Sequence, residues 1–148
     1  LKIAPAEAPS TGYLSATGLY FADMSSKPIN SCDRFYDKET KQSYSHMLIC
    51  EVAVGEPYIH SKNTNTFDGE FDLSFLKEGY HCLKAKSYRG PNLNKRFVCN
   101  DGVVIPIGEI VNYNDNKTIG TQSWTQEPEY VVYDTSQVVI RYLVKVTN

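Results

Sequence analysis

Residues 129–146 read EYVVYDTSQVVIRYLVKV, two runs of β-branched and aromatic residues held apart by Asp134, Thr135 and Ser136. In the second run Val138, Ile140, Tyr142, Val144 and Val146 alternate with Val139, Arg141, Leu143 and Lys145. Successive side chains of a strand point to opposite faces. The first set is therefore expected on the core side and the second partly in solvent, as on an antiparallel sheet. Asp and Ser bond to their own backbone in turns, which suits an antiparallel connection between the two runs.

Working outward, residues 46–59 (HMLICEVAVGEPYI) form a second β-rich stretch, with Leu48, Cys50, Val52 and Val54 on one face of an extended chain. Residues 19–22 (LYFA), just after Gly18, read as another short strand. Asp23, Ser25 and Ser26 offer helix N-caps, and 27–35 is expected to form a short helix that tolerates Pro28 in its first turn. Residues 102–108 (GVVIPIG) read as an edge strand, because proline has no N–H for a central ladder. Residues 61–71 and 112–122 are polar, Asn-rich loops. The expectation is one β-dominated α+β unit without internal repeats.

The 148 residues suit a single domain. A net charge of -2 argues against a dedicated nucleic-acid-binding domain, which is usually strongly basic. No apolar run approaches the roughly 20 residues that a membrane-spanning helix needs, and no membrane partner is expected. The chain opens on Leu1 with no signal-peptide pattern and is expected to be part of a longer polypeptide. Cys32, Cys50, Cys82 and Cys99 are widely spaced and form no CxxC pair, so reduced thiols of an intracellular protein are expected, and no metal centre.

Two groups of residues invite a chemical reading. Tyr13 follows Gly12, Tyr20 lies two residues after Gly18, and Tyr36 is not far on. Glycine beside aromatic rings lets the backbone approach a flat ligand on which the rings stack, although a Tyr-rich core edge gives the same pattern. Glu129 stands at the mouth of the apolar run 130–133 and shares a strand face with Val131 and Tyr133, which draws it toward the core side. A half-buried carboxylate there is a functional candidate, and a solvated strand end is the alternative.

Residues 1–32 (LKIAPAEAPSTGYLSATGLYFADMSSKPINSC) resemble the donor-loop segment of the poly(ADP-ribose) polymerase catalytic domain of the DNA-damage-responsive type. Further pieces follow in the family's order: CEVAVG (50–55), GYHC (79–82), IPIG (105–108), and EYVVYD (129–134) with Gln137 and Val138. The resemblance extends over nearly the whole chain. It implies the ADP-ribosyltransferase fold: an α+β architecture of two packed, mostly antiparallel sheets with short helices and the NAD site between them. It also implies that 1–148 is the C-terminal part of that domain, dependent on the N-terminal remainder.

In chemical terms the resemblance implies transfer of ADP-ribose from NAD, a substrate rather than a bound cofactor, to protein side chains or a growing poly(ADP-ribose) chain. Nicotinamide is already a good leaving group, so the barrier lies in the oxocarbenium-like ribose. A single carboxylate can polarise the ribose 2′-hydroxyl, stabilise the developing charge and help deprotonate the acceptor. Glu129 matches the family's catalytic glutamate and Lys27 the lysine near it. Tyr20 matches a nicotinamide-pocket aromatic and Tyr13 the donor-loop tyrosine. Lys2, beside Ile3, stands where the family usually has an adenosine-side arginine. A nuclear setting, acceptor proteins as partners, and contact with DNA only through other domains come with the resemblance.

Three departures bear on that expectation. The histidine–glycine pair that grips adenosine ribose and the nicotinamide amide is not among these residues. Pro28 replaces a serine whose hydroxyl bonds the carboxamide, and Ser31 replaces a tyrosine that stacks on the ring. Glu127 and Pro128 stand where the family has Tyr-Asn, next to the acceptor site. These changes leave a second expectation open: a catalytically degenerate transferase fold that serves as a binding or scaffold module.

Overall fold

The stretch beginning at Glu129 divides between two sheets. The computed structural model describes residues 18–60, 74–113 and 125–147. Strand β10 (Glu129–Val132) lies inside a four-stranded sheet of order β1-β10-β5-β4, beside β1 (Leu19–Phe21), β5 (Cys82–Ala85) and β4 (Pro57–His60). Its pairings with β1 and β5 are antiparallel, whereas β4 runs parallel to β5. Strand β11 (Val138–Thr147) belongs to a separate antiparallel sheet of order β11-β3-β2, with β3 (Gln42–Val52) and β2 (Phe35–Asp37). Two ribbons complete the described architecture: β6 (Arg89–Pro91) with β9 (Ile110–Asn112), and β7 (Arg96–Val98) with β8 (Val104–Pro106). The β-dominated α+β expectation holds, and Pro106 falls, as expected, in a strand of a two-stranded ribbon.

The expected hairpin at 134–136 is corrected. A 3-10 turn, Thr135–Gln137, carries the chain from one sheet to the other. Its polar residues form a capping box: Asp134 Oδ1 accepts from Ser136 N at 2.8 Å, and Gln137 Oε1 accepts from Asp134 N at 3.3 Å. Gln137 Nε2 also donates to the carbonyls of Ala53 (2.9 Å) and His81 (3.0 Å). The turn chemistry thus caps a short helical turn and ties it to both sheets, where the sequence suggested closure of a hairpin.

The expected helix over 27–35 is also shorter. Helix α1 spans Ser26–Ile29, and Ser31 N bonds back to Pro28 O at 2.9 Å, tightening its end. Phe35 leaves for β2, where it pairs with Tyr44 and stacks on its ring at 5.6 Å. On β11 the alternation holds only in part. Val138, Val144 and Val146 are half-covered, but Ile140 and Tyr142 are exposed. The register shifts within this stretch: Ile140 faces Cys50 and Tyr142 faces the adjacent Ile49, so Arg141 is one extra residue that bulges the strand there. Leu48 is likewise exposed, and Val54 lies past the end of β3.

The core sits in the four-stranded sheet. Leu83 and Val131, facing each other across β5 and β10, pack with Tyr20, Tyr58, Leu76, Tyr80 and Tyr133. Tyr58 and Tyr80 meet edge to face at 5.4 Å, the favoured arrangement for aromatic pairs. Gly18 has a packing role: a Cβ there would come within 2.5 Å of Val131 Cγ1, so glycine lets the chain enter β1 beside β10. Gly55, between β3 and β4, has φ +53° and lies against the His81 ring, where a Cβ would meet Nδ1 at 2.6 Å. A Gly55→Ala variant is expected to lose about 2 kcal/mol from left-handed backbone strain and crowding together. Denaturant unfolding checks this, and an unchanged midpoint would contradict it.

Candidate active site

Strand register sets one face of the four-stranded sheet. Tyr20 lies opposite Val131, and Val131 opposite Leu83, so the three side chains share a face. Glu129 is two residues from Val131 and projects to that same face, at the strand end opposite Ala85. The loop after β1 turns into α1, whose first turn accommodates Pro28 because the first amides of a helix have no intrahelical partner. That turn brings Lys27 Nζ to 3.8 Å from Glu129 Oε1, an ion pair longer than a hydrogen bond. The Glu129 side chain is only 14% exposed and that of Lys27 30%. Burial pushes the Glu129 carboxyl above its ordinary range, and the nearby Lys27 charge pulls it part of the way back.

Beside this pair lies a second carboxylate, Glu127, whose side chain is 6% exposed. Ser26 Oγ donates to its Oε2 at 2.8 Å and Arg89 Nη2 donates to its Oε1 at 2.7 Å. Arg89 Nη2 also reaches Gln126 Oε1 at 3.1 Å, and Thr125 Oγ1 donates to the Glu127 carbonyl at 2.5 Å. On the opposite face of the sheet, Tyr130 OH donates to Asp23 Oδ2 at 3.3 Å and Lys84 Nζ lies 5.0 Å from the Tyr130 ring centroid. Burial raises both the Asp23 carboxyl and the Tyr130 phenol.

A recessed carboxylate with a cation beside it, at the end of a sheet face lined by an aromatic ring, is suited to stabilise a cationic sugar and accept a proton. Residues 1–148 match the family described as the poly(ADP-ribose) polymerase catalytic domain. The chain belongs to that family. It is 35% identical over 146 residues to poly [ADP-ribose] polymerase 2 of Zea mays, covering 99% of this chain and 20% of that protein. Against poly [ADP-ribose] polymerase 2 of Homo sapiens it is 35% identical over 147 residues, 99% of this chain and 23% of the relative. Against poly [ADP-ribose] polymerase 1 of Danio rerio it is 36% identical over 148 residues, 99% of this chain and 13% of the relative. The chain therefore spans less than a quarter of the length of these polymerases.

Within this poly(ADP-ribose) polymerase catalytic-domain chain, Lys27 and Glu129 are brought together, with Tyr20 on the sheet face that carries Glu129. Pro28 sits in α1, its carbonyl bonded by Ser31 N and by Cys32 Sγ at 3.3 Å, and Ser31 is exposed beyond the helix end. Tyr36 is exposed on β2 of the other sheet, away from the sheet that holds Tyr20. Tyr13, Lys2 and Ile3 lie outside the described residues. The four thiols are free, and burial pushes that of Cys82 up to about 11. Among the described residues, no three His, Cys, Asp or Glu side chains gather to hold a metal ion. In the sequence Glu127 stands out only as a departure beside the acceptor site, and its inward role rests on partners distant in the chain. Of those partners Ser26 stands out only as a helix-cap candidate and Arg89 not at all.

Proposed function

We propose that this chain carries the reacting face of an NAD+ ADP-ribosyltransferase that modifies protein side chains or extends a poly(ADP-ribose) chain. The observation that supports this reading most directly is the recessed Lys27–Glu129 pair at the head of β10, in a chain of this family. Glu129 accepts a hydrogen bond from the ribose 2′-hydroxyl and steadies positive charge as the bond from ribose C1′ to nicotinamide breaks. The bonding electrons leave with nicotinamide. An acceptor oxygen then bonds C1′, and its proton passes to the Glu129 carboxylate. Lys27 favours the ionised form of that carboxylate, and Tyr20 lines the nicotinamide side. Tyr13, Lys2 and Ile3 complete the NAD contacts on this reading, and Pro28 and Ser31 stand on the nicotinamide side, where each gives up one contact. Acceptor proteins and the N-terminal remainder of the domain are its partners, DNA is reached through other domains, and the setting is nuclear.

The pH dependence follows from the burial of Glu129. Its carboxyl is raised above the ordinary 4.5, and Lys27 opposes the rise. Because the ionised form does the work, the acid limb of kcat for transfer by the full-length protein is expected above the ordinary glutamate range. Lys27→Met should move it further up. A limb at the ordinary position, or one indifferent to Lys27→Met, would contradict the assignment.

Pro28 and Ser31 favour one second reading, a transferase fold that binds without turning over. Losing one hydrogen bond and one stacked ring weakens NAD binding by about 1–3 kcal/mol, a factor of roughly 5–150. Calorimetry with NAD on the full-length protein separates the readings: heat of binding followed by turnover rejects the binding module, and binding alone supports it.

A further inference from the structure

Glu127 is an almost fully covered charge, and a buried carboxylate must be paired. Both of its oxygens are used, Oε2 by Ser26 of α1 and Oε1 by Arg89 of β6. Two features make this a mechanical link to the reacting pair. Ser26 immediately precedes Lys27 in a helix of four residues whose N-cap, Ser25, makes no side-chain capping bond. So short a helix gains little from its own hydrogen bonds and takes its position from what it is tied to. On the other side, only Pro128 separates Glu127 from Glu129; it is fully buried and its ring fixes φ, which restricts the backbone between the two residues. The Thr125 hydroxyl on the Glu127 carbonyl and the Arg89 contacts to Gln126 hold the same stretch from behind.

We infer that Glu127 is a positioning residue for the transfer reaction: through Ser26 it holds α1, and with it Lys27, at a fixed distance from Glu129, while Arg89 anchors the carboxylate. The inference rests on the reading of Lys27 and Glu129 given above. It assigns to Glu127 an inward, geometric role. The carboxylate is tied to Ser26 and Arg89, so it is not presented to an acceptor.

Glu127→Ala would strand Arg89 and endanger the fold, so the gentler Ser26→Ala and Ser26→Thr variants carry the test. Transfer from NAD is measured with the full-length protein, each variant being made in the wild-type and the Lys27→Met background, with Glu129→Gln run in parallel. In the wild-type background, at a pH on the acid limb, Ser26→Ala is expected to lower kcat by about 10-fold with KM for NAD changed by less than about 2-fold, since misplacing the cation that favours ionised Glu129 acts on the chemical step. Ser26→Thr, which keeps the hydroxyl, should restore most of the rate. In the Lys27→Met background, Ser26→Ala should cost less than about 2-fold more, because the side chain it positions is gone. Equal losses in both backgrounds, or a wild-type kcat for Ser26→Ala while Glu129→Gln is inactive, would overturn the positioning role and leave the site reading standing. Full transfer by Glu129→Gln would overturn the site reading and the inference together.

Discussion

A Glu129→Gln variant of the full-length protein is expected to lose transfer by about 10²–10⁴-fold, the usual contribution of a positioned proton acceptor. Glutamine keeps the size of the side chain and one carbonyl oxygen, so NAD binding should change little. What it removes is the negative charge that faces the developing oxocarbenium ion and receives the acceptor proton. The stability effect has the opposite sign. The Glu129 carboxyl is raised by burial, so its contribution to stability is present below its unfolded value and is lost as pH rises through the folded one. A residue that does not titrate escapes that loss. At neutral pH the thermal midpoint of Glu129→Gln should therefore hold or rise while activity collapses, the pattern of a group kept for function at the expense of stability. Lys27, 30% exposed, remains solvated without its partner. A parallel loss of activity and stability would point to a structural glutamate.

The largest stability effect is expected at Leu83. It is fully buried in β5, opposite Val131 and in contact with the tyrosines that close the sheet face. Leu83→Ala removes three carbons from the centre of that cluster, and the surrounding rings cannot collapse into the space. The expected loss is about 2–5 kcal/mol, transfer and cavity terms together. Among the described residues the buried core hydrophobics are Cys82, Leu83, Ala85, Val131 and Val132, all in two adjacent strands. Denaturant unfolding of the purified variant measures it, and a change below about 1 kcal/mol would show that the core lies elsewhere.

Much of this was legible in the residues and some was not, for physical reasons. Glu129 at the mouth of an apolar strand was visible because alternation puts it on the side of Val131, and the structure finds it recessed there. Its neighbours were not visible. β10 pairs with β1 and β5, and β11 with β3, across long stretches of chain, and a local period carries no information on partners so distant. The turn at 134–136 misled for the same reason: Asp134 and Gln137 cap a helical turn whose remaining bonds go to Ala53 and His81, far away in sequence. The helix over 27–35 ran too long because Phe35 satisfies its backbone against Tyr44 in a sheet. The proximity of Lys27 to Glu129 came from family resemblance alone, since nothing in spacing relates residues a hundred positions apart.

The most direct measurement is of the two products that an ADP-ribosyltransferase must yield together. The full-length protein is incubated with NAD labelled in both the nicotinamide and the adenine, with its acceptors present. The account predicts that nicotinamide is released and that the adenine label becomes attached to protein in matching amount, and that both are lost in Glu129→Gln. NAD bound without release of nicotinamide, or release and attachment that persist in Glu129→Gln, would contradict it.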